Sequence, residues 1–243
     1  MNLLVVGAGA MGRWFAESTR DEFDDVAFAD TDDAAARAAA DAHDGRVVSP
    51  DGGEAFDLVC IAVPLPAATT VIEAYADRVD GAICDVTGSM VGPVAAMEEH
   101  CPDAERVSLH PLFAPENAPG TVAIVESGDG SITAHVRDAL LAAGNRLAET
   151  TPEEHDEAME TVQAKAHAAV LAFGLAAESV PAKFQTPISA GLFDLLAQVT
   201  DGDPRVYSDI QEAFDGAEDV ADAAGELAEA DEERFAELYE RAR

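Results

Sequence analysis

Leu3-Leu4-Val5-Val6 is a continuous apolar run too short for a helix, and it breaks at once into Gly7-Ala8-Gly9-Ala10-Met11-Gly12. A helical pattern, Arg13-Trp14-Phe15-Ala16-Glu17, follows. The same alternation of apolar runs and helical patterns continues through the first part of the chain. Val26–Ala29, Arg46–Val48, Leu58–Val63, Gly81–Val86, Arg106–Leu109, Thr121–Val125 and Asn145–Ala148 read as strands. Leu58–Val63 and Gly81–Val86 have no polar alternation, as expected of strands buried on both faces. Helical stretches lie between them: Asp33–His43, Ala67–Val79, Val94–His100 and Ile132–Ala143. Repeated βα units with short connections predict an α/β fold, a Rossmann-type doubly wound and mostly parallel sheet.

The pattern changes at Thr151, after which no convincing strand occurs. Thr151-Pro152-Glu153-Glu154 is a helix start, with Thr as N-cap, Pro in the first turn and Glu at the capping-box position. One helix is expected from there to about Ser179. Three more follow, at about Ile188–Val199, Pro204–Phe214 and Ala217–Arg241. The expected organisation is two domains: 1–150, a nucleotide-binding sheet, and 151–243, an all-helical domain for substrate and dimerisation.

The glycine turn gives the first domain its chemistry. Strand, G-x-G-x-x-G and helix start occur in the order a dinucleotide-binding unit needs. Gly7 permits the tight turn, Gly9 lets a pyrophosphate approach the backbone, and Gly12 lets helix and strand pack closely. The amides of Ala10 and Met11 open the helix, whose positive dipole end favours phosphate. Asp30 ends the second strand, where an acid can accept from an adenosine ribose. Thr31, Asp32 and Asp33 follow it with no Arg, so a 2′-phosphate would meet negative charge. NAD is therefore favoured over NADP.

Ligands in open α/β sheets sit beyond the carboxyl ends of the strands. Val63, Pro64, Thr87, Ser89 and His110 all fall just after or at such ends. His110 is suited to proton transfer beside hydride transfer; the alternative is a histidine that caps its strand. Ser89 is a candidate partner for His110 or for a substrate hydroxyl, or an ordinary turn serine. In the helical half, His155 sits in an acidic first turn and reads as structural or solvated. On a straight helix it would lie about 18 Å and about 120° from His167. His167, among alanines, is the better candidate for a site. Lys165 is one of only two lysines and either holds an anionic substrate or pairs with an acid.

Together these residues resemble one family. Strand–GAGAMG, Asp30, Asp85-Val86-Thr87-Gly88-Ser89, His110-Pro111-Leu112-Phe113, Glu154-His155-Asp156 with His167 beyond, and Asp203-Pro204-Arg205-Val206-Tyr207-Ser208-Asp209-Ile210 are similar to prephenate dehydrogenases, in that family's order. The resemblance implies NAD-dependent oxidative decarboxylation of prephenate or arogenate in tyrosine synthesis, in a homodimer formed by the helical domain. His110 would hydrogen-bond the substrate hydroxyl and help remove its proton. The serine after the fifth strand would support that histidine, and His167 would contact substrate. Two positions depart from the pattern. The family's Ser-Val-Lys is here Gly88-Ser89-Met90, which leaves the serine's role to Ser89 or Thr87. The family's substrate-binding arginine corresponds to Gln198, leaving Lys165, Lys183 and Arg205 as candidate cations. Another reductase with a helical dimer domain, or an NAD-sensing protein without activity, are the competing readings.

Charge narrows the partners. The chain has 48 acidic against 14 basic residues and a net charge of −34, which disfavours nucleic acid and anionic membranes. No run approaches a membrane span, and no signal-peptide pattern opens the chain, so a cytoplasmic location is expected. Cys60, Cys84 and Cys101 have no metal spacing, and no metal is expected; Cys60 and Cys84 read as buried thiols in strands and Cys101 as more exposed. A hydrophobic content of 48% argues for a folded chain despite the charge. The composition is that of a protein adapted to high salt, where self-repulsion is screened within about 3 Å at 1 M ionic strength. Dialysis to low salt is expected to abolish its helical circular dichroism; an unchanged spectrum and activity would contradict this.

Overall fold

The computed structural model describes residues 1–243, the side chain of Ala182 excepted. Eight strands form one sheet: β1 (Asn2–Val6), β2 (Asp25–Ala29), β3 (Arg46–Val47), β4 (Phe56–Ile61), β5 (Val79–Asp85), β6 (Glu105–Pro111), β7 (Thr121–Gly128) and β8 (Arg146–Glu149). Their spatial order is β3-β2-β1-β4-β5-β6-β7-β8. All neighbours run parallel except β6 and β7, which pair antiparallel. The order reverses at β1, flanked by β2 and β4. That is where a doubly wound sheet opens a crevice for ligand.

Five helices cover the sheet: α1 (Ala10–Thr19), α2 (Asp33–Ala42), α3 (Ala68–Tyr75), α4 (Val91–His100) and α5 (Ser131–Ala142). Successive residues of a strand point to opposite faces, so the apolar runs feed two cores. Leu3, Val5, Leu58 and Cys60 join Phe15, Phe28 and Leu140 on one face. Leu4, Val6, Val59 and Ile61 join Ile72, Met90 and Met97 on the other. Cys101, expected to be more exposed than the other two cysteines, is buried against the second core.

The glycines of the first turn meet the packing demand directly. Gly7 has φ +100°, and a Cβ there would overlap the Ala62 carbonyl. A Cβ at Gly12 would overlap the carbonyl of Gly7. Both clashes are with backbone, which cannot swing aside as a side chain can.

Two compact units divide the chain, Met1–Asp156 and Glu157–Arg243. The composition shift at Thr151 and this division differ because the first turn of α6 (Pro152–Met159) bonds into the first unit, as described below. The expected N-cap is present: Thr151 Oγ1 accepts from the Glu154 amide at 3.2 Å. The helix expected to run to Ser179 is interrupted. A π segment, Glu160–Lys165, separates α6 from α7 (Ala166–Ala176). The chain then turns extended at Ala177. Next come α8 (Pro187–Asp201), α9 (Pro204–Ala213), α10 (Ala217–Glu229) and α11 (Glu232–Arg241). The last two were expected as one helix. Asp231 breaks it by capping α11, its Oδ1 accepting from the Arg234 amide at 2.9 Å. The second unit's core, among the described residues, is small: Met159, Ala164, Ile210 and Phe214.

Replacing Gly12 with alanine is expected to destabilise the chain by about 1–3 kcal/mol, the usual cost of overpacking. Urea unfolding in high salt measures this, and an unchanged midpoint would show that α1 can move off β1.

Candidate active site

The turn from β1 to α1 is open where a phosphate needs space. Nothing lies within 4 Å of a Cβ built on Gly9. Gly9 is also the N-cap of α1, with no side-chain acceptor for its amides and no acid in the first turn. By contrast, α2 is capped by Asp32, whose Oδ1 accepts from Ala34 at 2.8 Å. An uncapped helix end with an open backbone approach is what a pyrophosphate fits. Asp30 holds this turn in shape. Its Oδ2 accepts from the Ala8 amide at 2.7 Å and its Oδ1 from the Asp32 amide at 2.8 Å. A carboxylate has about four acceptor sites, so two remain for ribose hydroxyls. Val63 is half-buried and Pro64 exposed just beyond β4. These residues fit a dinucleotide.

Beyond β5 and β6 lies a connected polar group. His110, near the end of β6, is buried, with 7% exposure. Its Nδ1 lies 2.8 Å from Nε2 of His155, the rings meeting edge to face. His155 Nδ1 lies 2.7 Å from Asp156 Oδ1. Asp156 collects three further donors: Ser89 Oγ at 2.8 Å, the Met90 amide at 2.9 Å and the Val91 amide at 3.1 Å. Met90 and Val91 open α4, so Asp156 caps that helix from the far end of the sequence. Four donors hold its carboxyl below the usual carboxylate range, against the opposing cost of its partial burial.

This order fixes where the protons sit. An ionised Asp156 only accepts, so His155 donates from Nδ1 and presents its Nε2 lone pair. His110 then donates from Nδ1, and its own lone pair is on Nε2. That nitrogen faces the turn after β5, since a Cβ on Gly88 would lie 3.8 Å from it. Burial, with His155 beside it, pushes His110 down to about 3, against the pull of Asp156. His110 is thus a neutral imidazole with an oriented basic nitrogen throughout the physiological range. Phe113 ties the loop after His110 to the nucleotide-binding turn, packing edge to face on Trp14 of α1 at 5.5 Å.

The Ser89 hydroxyl goes to Asp156, two bonds back from His110 along the chain of contacts. Thr87 is buried and bonds to Asp85 and to the Ser89 carbonyl. His155, expected to be structural or solvated, is buried and central. Asp156 entered the sequence reading only as part of the Glu154-His155-Asp156 motif, with no role of its own. Their signal was the Glu154-His155-Asp156 triplet, masked by an acidic helix start that reads as a solvated first turn.

The other candidates belong to the second unit. His167 is half-buried, packs edge to face on Tyr207 at 4.9 Å, and has an Nδ1 without a hydrogen-bond partner. Burial lowers its proton affinity. Lys165 pairs with Asp219 at 2.7 Å. Gln198 is exposed on α8, Arg205 is exposed, and Lys183 lies over the Phe184 ring at 4.9 Å.

Comparison with known proteins bears on this arrangement. The family model for the nucleotide-binding domain of prephenate dehydrogenase matches residues 15–128. A 4-amino-4-deoxyprephenate dehydrogenase from Streptomyces pristinaespiralis is 33% identical over 268 residues, covering 98% of this chain and 88% of that one. A probable arogenate/prephenate dehydrogenase from Methanocaldococcus jannaschii is 25% identical across 86% of this chain, which spans half of that protein's length. Among solved structures, prephenate dehydrogenase from Aquifex aeolicus, in complex with hydroxyphenyl propionate and NAD+, has the same fold, with a TM-score of 0.72 at 20% identity over 100% of this chain and 96% of that one. A relative 33% identical over 98% of this chain, together with the matching family model, shows that the chain belongs to the prephenate dehydrogenase family.

Proposed function

We propose that this protein is an NAD-dependent dehydrogenase that oxidatively decarboxylates prephenate to 4-hydroxyphenylpyruvate. The observation that carries the reading is the neutral His110, its Nε2 lone pair set by the His155–Asp156 chain. When bound, NAD+ supplies the acceptor for the hydride leaving the substituted ring carbon. The glycine turn holds the pyrophosphate and Asp30 the ribose. Asp30 and its acidic neighbours Asp32 and Asp33 disfavour a 2′-phosphate, which supports NAD over NADP.

His110 Nε2 accepts the proton from the substituent on that ring carbon. The charge it gains spreads along His155 to Asp156, whose carboxylate stabilises it. Ser89 and the two α4 amides keep that carboxylate ionised and aimed. Ser89 is thus a positioning residue and His110 the general base. In the second unit, His167 takes the substrate contact that the family resemblance implies. Lys165 is engaged by Asp219, and Gln198 brings no charge, so neither supplies a ready cation for a dianionic substrate. The helical domain is proposed to form a homodimer.

A second reading has a specific support. The Streptomyces relative is named for 4-amino-4-deoxyprephenate, in which an amine replaces the ring hydroxyl. The Nε2 lone pair of a neutral imidazole can accept a hydrogen bond from an N–H as well as from an O–H, so the base alone does not select between the two substrates.

In high salt with NAD+, prephenate is expected to generate NADH faster than arogenate or 4-amino-4-deoxyprephenate. Faster turnover of the amino compound would transfer the assignment to the second reading, and turnover of none would overturn both. His110→Asn should lower kcat by about 10²–10⁴, the usual worth of a general acid–base group. Asp156→Asn should lower it by roughly 10² or more with the fold intact, because an amide can donate to His155 and reverse the tautomers. Near-normal activity in either variant would show that the base lies elsewhere.

A further inference from the structure

β5 ends in an acid outside the hydrogen-bonded chain of His110, His155 and Asp156. Asp85 is fully buried, paired in the sheet with Ile61 of β4 and Ser108 of β6. One of its oxygens is served: Oδ1 accepts from the Thr87 amide at 3.1 Å and the Thr87 hydroxyl at 2.6 Å. Oδ2 is shut off from solvent and makes no hydrogen bond of normal geometry; the neighbouring Ser108 hydroxyl lies close enough to favour the ionised form but is not aligned to donate to it. Among the described residues no lysine or arginine forms an ion pair with Asp85. A carboxylate with one bare, buried oxygen is the costly state, and the neutral acid is the form that suits this position.

Asp85 nevertheless stands close to the relay. Its Thr87 partner also lies 3.0 Å from the carbonyl of Ser89, the residue that donates to Asp156. The groups that act on it are Thr87 in the turn, Ser108 on β6, His155 at the start of α6 and Cys60 on β4. Burial keeps the Cys60 thiol neutral. A positive charge reaching His155 would interact favourably with an ionised Asp85.

We propose that Asp85 is a positioning residue that sets the proton affinity of the His155–His110 relay. As a neutral acid it leaves the relay with Asp156 as its nearby anion. As a carboxylate it adds a second negative charge behind His155 and strengthens His110 as a base. The proposal rests on His110 being the general base.

Burial raises the Asp85 carboxyl to about 6, with Thr87 and Ser108 pulling it down. Folding favours the protonated form, so its contribution is complete below the ordinary value of 3.8 and is lost as pH rises through about 6. The sign for activity is opposite, because the ionised form supports the stronger base.

Two measurements test this, on folded protein checked by circular dichroism. Infrared difference spectra should contain the carbonyl stretch of a protonated carboxylic acid at about pH 5, lost by about pH 8 and absent from Asp85→Asn. The kcat/KM of the unmodified protein should rise about tenfold over that range, a shift of roughly one pKa unit in the base. Asp85→Asn should be flat at about the low-pH level. Thr87→Val, which removes a donor to the ionised form, should move both transitions to higher pH. A missing carboxyl band, a band that survives in Asp85→Asn, or a pH transition that survives in that variant would each overturn the proposal. Turnover without the band counts against Asp85 alone. The band without turnover on any substrate refutes the proposed function and, with it, the link to His110.

Discussion

The Asp156 carboxylate is the interaction on which the site depends. It accepts from Ser89, from two amides opening α4 and from His155. In one step it caps a helix, orders the turn after β5 and sets the tautomer of a buried histidine. A cap of this kind alone is worth about 0.5–2 kcal/mol. Its larger effect is on direction: an acceptor at one end of a two-histidine chain leaves a single arrangement of protons, and the basic nitrogen emerges at His110. The exposed ion pairs elsewhere, such as Arg37 with Asp33, contribute little to stability and decide no geometry.

Burial gives that chain its strength and its limit. His110 is desolvated enough to stay neutral across the physiological range, so the protein has no resting imidazolium to discharge before it can act. The same desolvation makes the imidazolium formed during turnover expensive, and only a nearby anion can offset it. Asp156 is that anion, half-buried and well supplied with donors. The backbone clash sites at Gly7 and Gly12 and the Trp14–Phe113 contact hold the nucleotide-binding turn and the His110 loop in one frame.

Much of this was legible in the amino-acid pattern. Apolar runs without alternation identify β4 and β5 as central strands, and the spacing of Gly7, Gly9, Gly12 and Asp30 identifies the nucleotide turn. His110 is visible because it sits at a strand end. His155 and Asp156 were hidden for a physical reason: local composition reports an acidic helix start, while their burial and bonding depend on residues far away in sequence, Ser89 to Val91 and His110. The π segment after Met159 and the break at Asp231 were missed because helical periodicity runs on through both. Asp85 looked like an ordinary strand end, since no pattern reveals that only one of its oxygens finds a donor.

The central claim is that the Asp156–His155–His110 chain leaves His110 neutral with its lone pair on Nε2. Nitrogen-15 NMR of histidine-labelled protein in high salt, titrated from about pH 8 to about pH 5, measures this directly. His110 is expected to stay neutral across the range, with its proton on Nδ1 and none on Nε2. A proton on Nε2 near neutral pH, or an imidazolium at about pH 6, would contradict it.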